Sequence, residues 1–513
     1  MSRRGARALA PLAVLALGGL LFASVTRLPP PQDRPQSRAL PDTGDTRVGR
    51  ALAGAVAAHP GRSGVWPIHD GLDAFADRAL LAEAAEASLD VQYYIWRSDM
   101  SGVLLAEALY RAAERGVRVR LLLDDNNTVG ADSMLAALDS HENIEVRLFN
   151  PFPTRRFRFL GYVVDFDRLN RRMHNKSFTV DNQVTIVGGR NVGDEYFGAG
   201  QAMRFVDLDI VAAGPVVREV SAQFDHYWAS ESSYPPAEVL GENASADPGS
   251  VVNRVSIVER DPRARRYLEA VRESGFLRAL LSGDISFEWT QVRLVSDDPA
   301  KGLGKGAPEE LLSHRLRNIL GGARREVELV TPYFVPTDAG VRALAELESR
   351  GVEVSVLTNS LEATDVVPVH AGYARHRVAL LEAGVELYEM KRETVGEAER
   401  DAHRLAGRSS SSLHAKVFSV DLQRLFVGSF NFDPRSANLN TEMGLVIESP
   451  TLARAVVDGM REEGKPRWIE QREAGAAADA SVAPIVHRHE PGAGFWSRLG
   501  VWVTSRLPVE WLL

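Results

Sequence analysis

One sequence pattern occurs twice in this chain of 513 residues, and it constrains the fold more than any other feature. The first copy is Met173–Asn191 (MHNKSFTVDNQVTIVGGRN), and the second is Leu413–Asn431 (LHAKVFSVDLQRLFVGSFN). Five positions are identical and keep every internal spacing: His174 and His414, Lys176 and Lys416, Asp181 and Asp421, Gly188 and Gly428, Asn191 and Asn431. Agreement at five positions over a constant offset of 240 residues indicates two related lobes rather than two unrelated hairpins.

The sequence around both copies alternates between helical and strand patterns, which is typical of an α/β fold. In the first half, Leu89–Trp96 and Val117–Leu123 are predicted strands on either side of a predicted helix, Gly102–Arg115. In the second half, Val327–Val335 and Val352–Leu357 are the corresponding predicted strands. We therefore predict duplicated α/β lobes with mixed, parallel-rich sheets, packed about a pseudo-twofold axis.

Composition and the repeat offsets predict the boundaries of the lobes. The first lobe is predicted over residues 51–240 and the second over residues 263–475, with a linker rich in Ser, Pro, Gly and Asn at 241–262. Two short insertions, near Phe197–Arg204 and Glu393–Ser412, distinguish the copies and are predicted to be loops.

The N-terminus resembles a membrane-targeting segment. Three arginines precede Ala8–Val25, a run without charge that is near the shortest length able to span a bilayer. We interpret residues 1–27 as an uncleaved anchor, followed by a Pro-rich linker at 28–50; the alternative is a cleaved signal peptide. The arginines favour this end in the cytoplasm and the rest of the chain on the other side of the membrane.

Two further stretches indicate contact with a membrane surface. Phe152–Met173 carries six arginines and five aromatic residues, although a solvated basic face is an equal alternative. In the C-terminal tail, residues 490–513, a predicted amphipathic helix places Phe495, Leu499 and Trp502 on one face. The alternative for the tail is packing against the protein core.

Charge and cysteine content exclude several classes of function. The net charge of −8 gives no overall basic field, so no nucleic-acid partner is expected. The absence of cysteine excludes disulfides, thiol catalysis and cysteine metal sites.

The paired H-x-K-x4-D…G-[GS]-x-N pattern resembles that of the phospholipase D superfamily, over nearly the whole chain outside the anchor and linkers. Within it, the segments DVQYYIW, LLLDDNNT, NRRMHNKSFTVD and VGGRNVGDEYF are similar to bacterial cardiolipin synthases, particularly the C type. The resemblance implies phospholipase D-like lobes, phospholipid substrates and a membrane surface as partner. With the N-terminal anchor, it implies a location at the bacterial inner membrane, with the catalytic lobes on the periplasmic side.

Two histidines can divide the transfer of a phosphodiester into two easier steps. The resemblance implies that His174 attacks phosphorus to form a phosphohistidine, while His414 acts as general acid and then as general base. Charge and hydrogen bonds for the phosphate would come from Lys176, Lys416, Asn191, Asn431 and Ser429. Because the lysines can neutralise the developing charge, no metal and no other cofactor is expected.

Four acidic residues have supporting roles in this interpretation. The resemblance implies that Asp181 and Asp421 form structural ion pairs away from the phosphate. It also implies that carboxylates orient the histidines, and Asp207 and Glu442, each at the start of the strand that follows a motif, are the candidates. The alternative is that Asp207 and Glu442 are surface residues of their strands.

The leading prediction for the reaction is phosphatidyl transfer to phosphatidylglycerol, giving cardiolipin, with phosphatidylethanolamine as the donor that the C-type resemblance suggests. A hydrolytic phospholipase D, with water as acceptor, is the first alternative. A nuclease is a second, which the acidic charge and the hydrophobic ends argue against. A non-catalytic scaffold would require one damaged motif, and both are intact.

Overall fold

The computed structural model describes residues 28, 36–153, 155, 157–198, 203–240, 249–391, 410–462, 468–471, 490, 493–506 and 510–513. The strands of its first part are β1 (Ser63–Ile68), β2 (Ser88–Ile95), β3 (Arg118–Asn127), β4 (Ile144–Phe149), β5 (Ser177–Val180), β6 (Val184–Gly188), β7 (Met203–Val206), β8 (Asp209–Ala213), β9 (Ser233–Tyr234) and β10 (Glu288–Thr290). Those of its second part are β11 (Val292–Ser296), β12 (Glu326–Val330), β13 (Glu353–Asn359), β14 (Glu386–Met390), β15 (Ser410–Leu413), β16 (Val417–Val420), β17 (Arg424–Gly428), β18 (Met443–Ile447) and β19 (Trp468–Gln471).

Helices alternate with these strands. In the first part they are α1 (Arg47–Ala58), α2 (Gly71–Ala84), α3 (Met100–Glu114), α4 (Asp132–Asp139), α5 (Arg158–Val164), α6 (Phe166–Leu169), α7 (Pro215–Trp228), α8 (Pro236–Val239), α9 (Gly249–Val258), α10 (Ala264–Glu273) and α11 (Phe276–Ser282). In the second part they are α12 (Leu312–Gly321), α13 (Thr337–Ser349), α14 (Val367–Glu382), α15 (Pro434–Asn438), α16 (Pro450–Glu462) and α17 (Phe495–Thr504), with short 3-10 turns at Pro299–Leu303, Pro308–Glu310 and Glu510–Leu512.

The strands form two large sheets, which confirms the predicted duplicated α/β fold. The first has the order β10-β1-β8-β6-β5-β2-β3-β4-β9, and the second β11-β18-β17-β16-β12-β13-β14-β19. Three neighbouring strands are parallel in each, β2-β3-β4 and β12-β13-β14, and the other pairings within the described residues of the two sheets are antiparallel. The sheets are therefore mixed, as predicted, but antiparallel pairs outnumber parallel ones because each motif adds an antiparallel hairpin.

Each motif is a hairpin whose turn carries the motif aspartate. β5 lies between Lys176 and Asp181, and the turn begins with Asp181 at a φ of 51°. The Asp181 carboxylate accepts hydrogen bonds from three successive backbone N–H groups, those of Glu86, Ala87 and Ser88. Asp421, at a φ of 56°, accepts the same bonds from Arg324, Arg325 and Glu326. The prediction of structural ion pairs is thus corrected: these carboxylates cap the backbone that enters the neighbouring strand.

The two lobes are joined by reciprocal contacts and a common core. β7 of the first lobe pairs in parallel with β15 of the second, and Met173 forms an isolated bridge with Thr441. One apolar cluster draws buried side chains from both lobes, among them Ile210 and Leu445. The described ends of the two predicted loops, Phe197–Arg204 and Glu393–Ser412, therefore belong partly to strands that hold the lobes together; residues 199–202 and 392–409 lie outside the described residues.

The boundary between the lobes differs from the prediction. α10 packs on α2, α11 packs on α1, and β10 pairs with β1, so residues up to about 290 complete the first lobe. α9, within the predicted linker at 241–262, packs on α3 and α4. Part of the predicted linker at 28–50 is also ordered, because α1 begins at Arg47 and the side chain of Val48 is fully buried. Polar composition alone did not distinguish these packed segments from free linkers.

Of the two terminal segments predicted to contact a membrane, only the C-terminal tail lies mostly within the described residues. Residues 1–27 lie outside the described residues, and no helix within the described part of the chain is long and apolar enough to span a bilayer. The tail forms α17, which packs on α14, so the alternative of a docked tail applies to its inner face. Its outer face remains exposed at Phe495 (70%) and Trp496 (78%).

Candidate active site

The two motif histidines are held by carboxylates from opposite lobes. His174 donates from Nδ1 to Glu442 Oε2 at 2.8 Å and to the backbone oxygen of Ser429 at 3.1 Å. His414 Nδ1 lies 2.6 Å from Asp207 Oδ2. Asp207 follows the first motif but contacts the second histidine, and Glu442 follows the second motif but contacts the first. All four side chains are buried, so Asp207 and Glu442 are not surface residues.

Backbone pairing between the lobes explains this exchange. The His174 N–H donates to the Thr441 oxygen at 2.8 Å, and the His414 N–H donates to the Val206 oxygen at 2.8 Å. Each histidine is thus fixed beside the residue that immediately precedes the other lobe's carboxylate. The reciprocity is what a pseudo-twofold arrangement requires, and neither histidine would be oriented by an isolated lobe.

Both lysines lie beside the motif histidines, and burial lowers the pKa of each amine, to about 8 for Lys416 and well below its usual value for Lys176. Lys176 Nζ donates to the His174 oxygen at 2.5 Å, and Lys416 Nζ lies 3.0 Å and 3.2 Å from the two ring nitrogens of His414. Burial, followed by the charges of both lysines, lowers the pKa of His174 well below its usual value. Burial and then Lys416 lower the pKa of His414 to about 4. Both imidazoles are therefore neutral near pH 7, and the crossed contacts of His174 with Glu442 and of His414 with Asp207 bring the two motifs to one site.

The orienting carboxylates differ strongly in acidity. Burial raises the pKa of Glu442 to about 7 despite the nearby charge of Lys176. Burial also disfavours ionised Asp207, but contact with His414 and the charge of Lys416 hold its pKa at about 2. Asp207 is consequently a fixed anion near neutral pH, whereas Glu442 titrates there.

The difference between Gly189 and Ser429 reflects the two carboxylates rather than the phosphate. A Cβ atom on Gly189 would lie 2.2 Å from Asp207 Oδ1, so only glycine leaves room for this short side chain. At the equivalent position, the Ser429 hydroxyl donates to Glu442 Oε2 and accepts from the Met443 N–H at 3.0 Å. Ser429 therefore positions Glu442, and the expectation that it binds substrate directly is not supported by its bonds.

The motif asparagines retain unused hydrogen-bonding capacity. Asn191 accepts from the Ile95 N–H at 3.2 Å, and its buried amide nitrogen has no hydrogen-bond partner within the described residues. Asn431 is 3% exposed, and the oxygen of its side chain is likewise without a partner among the described residues. The amide nitrogen of Asn191 can donate to a phosphate oxygen, as the sequence predicts, whereas the unpaired oxygen of Asn431 can only accept and gives no such support.

Aromatic side chains that the motif did not predict pack on both imidazoles. The ring centroid of Tyr94 lies 4.8 Å from that of His174, and Tyr196 lies 5.0 Å from His414. Phe205 lies 4.8 Å from His414 on another side. Tyr94 lies near the carboxyl end of β2, which is parallel to β3. Functional residues commonly lie at the carboxyl ends of parallel strands, and this rule could have identified Tyr94 from the sequence.

Arg435 is a further residue that sequence reasoning missed. Its side chain donates to the Asn170 side chain at 2.7 Å and to the Leu512 backbone oxygen at 3.0 Å. Its charge also contributes to the lowered pKa of His174. The C-terminus thus reaches the junction of the lobes beside the site, a contact that no local pattern indicates.

Several arginines of the segment Phe152–Met173 form ion pairs with acidic side chains of the first lobe. Arg172 pairs with buried Asp124 at 2.7 Å, and Arg155 pairs with Asp125 and Asp132. The alternative of a solvated basic face is therefore wrong for these arginines.

Within the described part of the chain, no group of three or more His, Asp or Glu side chains is arranged to hold a metal ion.

Comparisons with known proteins agree with this architecture. The family model described as "Cardiolipin synthase, PLD-like domain" matches residues 79–228 and 316–462. The chain is 48% identical to Cardiolipin synthase C of Escherichia coli (strain K12), over 91% of this chain and 100% of that protein. It is 26% identical to Cardiolipin synthase A of Edwardsiella ictaluri (strain 93-146), over 71% of this chain and 62% of that protein.

A solved structure supports the fold independently. Phosphatidylserine synthase of Haemophilus influenzae Rd KW20 superposes with a TM-score of 0.55, covering 83% of this chain and 92% of that one, at 12% identity. At this identity the likeness concerns the fold alone. The two-segment family match and the 48% identity establish the membership: this chain belongs to the cardiolipin synthase family with PLD-like domains and is a phosphatidyltransferase of the phospholipase D superfamily.

Proposed function

We propose that the protein makes cardiolipin by moving a phosphatidyl group from phosphatidylethanolamine to phosphatidylglycerol through a phosphohistidine at His174. Similarity to Cardiolipin synthase C supports the product, and the hydrogen bonds of His174 support the intermediate. As a homologue of cardiolipin synthases, it works as a membrane-associated bacterial enzyme. The proposed periplasmic orientation rests on the N-terminal arginines.

The tautomer of His174 is the observation that carries the mechanism. A backbone oxygen can only accept a hydrogen bond, so the contact with Ser429 requires a proton on Nδ1 of His174. The neutral ring then carries its lone pair on Nε2. That nitrogen attacks phosphorus, a P–N bond forms, and the P–O bond to the donor headgroup breaks.

His414 suits the handling of protons. Anionic Asp207 stabilises a positive charge on His414, and an entering phosphodiester adds a second negative charge that raises the pKa of the imidazole. Protonated His414 gives its proton to the departing alkoxide of ethanolamine. Neutral His414 then takes the proton from a phosphatidylglycerol hydroxyl, whose oxygen attacks phosphorus and releases His174.

Exposed apolar side chains flank the site and support docking on a bilayer. We name Phe157, Phe159, Phe166 and Trp511 the aromatic rim; they are 49%, 66%, 39% and 55% exposed. Phe166 and Trp511 approach with ring centroids 6.4 Å apart, which joins α6 to the C-terminus. Arg435 links the same C-terminal segment to the site. Aromatic residues favour the bilayer interface, so the rim would present the site to lipid headgroups.

Labelled lipids test the reaction. The purified full-length enzyme is incubated with phosphatidylglycerol vesicles, with and without phosphatidylethanolamine labelled in its phosphatidyl group, and the products are separated by thin-layer chromatography. We expect labelled cardiolipin and little phosphatidic acid. Mostly phosphatidic acid would favour a hydrolase, and equal cardiolipin without phosphatidylethanolamine would refute the donor.

Trapping the intermediate tests the roles of the histidines. Acid-labile, base-stable ³²P should remain on the His414→Asn protein after a short incubation with labelled donor, because the first step is slowed less than the release of His174. His174→Asn should carry no label. Label on His174→Asn alone would exchange the two roles.

A further inference from the structure

A cavity outside the active site has the composition of a cation-binding pocket. It has a volume of about 780 Å³ and lies between α2 and the α10–α11 pair of the first lobe. Its rim is mostly acidic, with one arginine: Asp70, Asp73, Glu269, Glu273, Asp284 and Arg266. One wall is aromatic, where Trp66 and Phe276 stack with ring centroids 5.5 Å apart.

A buried carboxylate without a partner lines this cavity. The side chain of Asp77 is 1% exposed, and its Oδ2 atom has no hydrogen-bond partner within the described residues. The hydrogen bonds of the adjacent Arg78 guanidinium go instead to Asp209 at 2.7 Å and to the Tyr93 hydroxyl at 2.8 Å. Buried polar groups are normally paired, so an unpaired carboxyl that lines a cavity requires an explanation.

We propose that this cavity binds an organic ammonium ion, a primary amine attached to an apolar group, with Asp77 as the counter-ion. The acidic rim attracts the cation, and the Asp77 carboxylate pairs with its ammonium group. The aromatic wall formed by Trp66 and Phe276 packs against the apolar part of the ligand. A metal ion fits less well, because within the described residues no three carboxylates or histidines converge closely enough to coordinate one. The cavity volume lies within the range typical of small-molecule sites.

Binding is coupled to a proton. Burial, together with the negative charges of Asp73 and Asp209, raises the pKa of Asp77 to about 8, although Arg78 opposes this. The other charged groups that line the cavity are Asp70 before α2, Arg266, Glu269 and Glu273 on α10, and Asp284 after α11. Without a cation Asp77 is mostly neutral at pH 7, so an arriving ammonium ion releases its proton to the buffer. Affinity should therefore rise with pH up to about 8 and then level off.

Isothermal titration of the full-length protein in non-ionic detergent tests the proposal, with phenethylammonium as the probe. We expect binding at pH 7 with release of nearly one proton, measured by comparing buffers of different ionisation enthalpy. The uncharged analogue 2-phenylethanol should bind at least about tenfold more weakly, since it lacks the charge that pairs with Asp77.

Three variants locate the site. Asp77→Asn keeps the shape of the neutral acid and should weaken binding at least about tenfold and abolish the proton release. Ala270→Trp should block the cavity sterically, which provides a test that does not alter Asp77. Glu259→Gln, an exposed acid outside the cavity, should bind like the wild type. Affinity equal to that of the wild type in Asp77→Asn or in Ala270→Trp would overturn the proposal. So would binding of 2-phenylethanol as tight as that of phenethylammonium, or no binding of phenethylammonium to the wild type.

Discussion

The two halves of the active site share a backbone plan but differ in the chemistry around their histidines. In the half built around His174, Glu442 is held by the Ser429 hydroxyl, and its pKa is raised to about 7. In the half built around His414, Asp207 lies against Gly189 and its pKa is held at about 2. The repeated motif makes the two halves alike in backbone, whereas the pairs Ser429–Glu442 and Gly189–Asp207 make them different in side chains.

In the proposed mechanism, this asymmetry gives the two imidazoles different roles. A permanent anion beside His414 favours a ring that can carry a second proton, which a general acid needs. A titrating carboxyl and a backbone oxygen beside His174 fix one tautomer and leave the other nitrogen free to attack. A fully symmetric pair would have no preferred nucleophile, so changes that exchange features between the halves should reveal how much each contributes.

Removal of either histidine should have the largest effect. His174→Ala and His414→Ala should each reduce cardiolipin formation by about 10³-fold or more, because one removes the proposed nucleophile and the other the proposed proton carrier. The double variant should be no slower than the slower single variant, since the two residues act in one reaction. Initial rates with labelled lipid provide the measurement. A single variant within tenfold of the wild type would show that one half works alone.

Exchange of the small residue between the halves should have the next largest effect. Gly189→Ser places a Cβ where Asp207 Oδ1 lies, so Asp207 is displaced from His414 and the rate should fall by about 10²-fold. Ser429→Gly removes the hydroxyl that donates to Glu442 and accepts from the Met443 N–H, and it should cost about fivefold. Gly321→Ser is the matched control, because an added Cβ there meets no atom within 4 Å. Equal losses for Gly189→Ser and Ser429→Gly would remove the proposed asymmetry.

The pH profile should separate the two carboxylates. Glu442 ionises through about pH 7 in the folded enzyme, and its anion makes Nε2 of His174 more nucleophilic. The ratio of the wild-type to the Glu442→Gln value of kcat/KM should therefore rise by about tenfold from pH 6 to pH 8, because the titrations of His414 and Lys416 are common to both enzymes and cancel in the ratio. The ratio of the wild-type to the Asp207→Asn value should stay constant over this range, because Asp207 is already ionised throughout it.

The sequence predicts much of this site and misses what depends on contacts between the lobes. The repeated motif identifies His174 and His414, and strand position identifies Asp207 and Glu442 as the orienting carboxylates. It does not indicate that each carboxylate crosses to the other lobe, because that follows from backbone pairing between residues more than 200 positions apart. Arg435 was missed for the same reason, since its partners are Asn170 and the C-terminus.

The fold shows a similar division. Hydrophobic periodicity and the repeat are local and predict two α/β lobes. Helix α9 lies in the predicted linker, and α10 and α11 lie at the start of the predicted second lobe, yet tertiary packing assigns all three to the first lobe. The prediction of ion pairs for Asp181 and Asp421 was also wrong. Their partners are backbone N–H groups, which every residue except proline has, so the sequence does not identify them.

These two aspartates provide the smallest and most direct comparison of the halves. Asp181 is fully buried, whereas Asp421 is half-buried, although both accept three backbone N–H groups. Water can replace the lost acceptor only where it has access, so Asp181→Ala should lower the free energy of unfolding by about 3 kcal/mol and Asp421→Ala by about 1 kcal/mol. Asp181→Asn and Asp421→Asn keep an acceptor oxygen and tolerate positive φ, and each should recover part of the loss. Urea titration followed by tryptophan fluorescence supplies the values, and equal losses in the two alanine variants would show that burial does not set the strength of this cap.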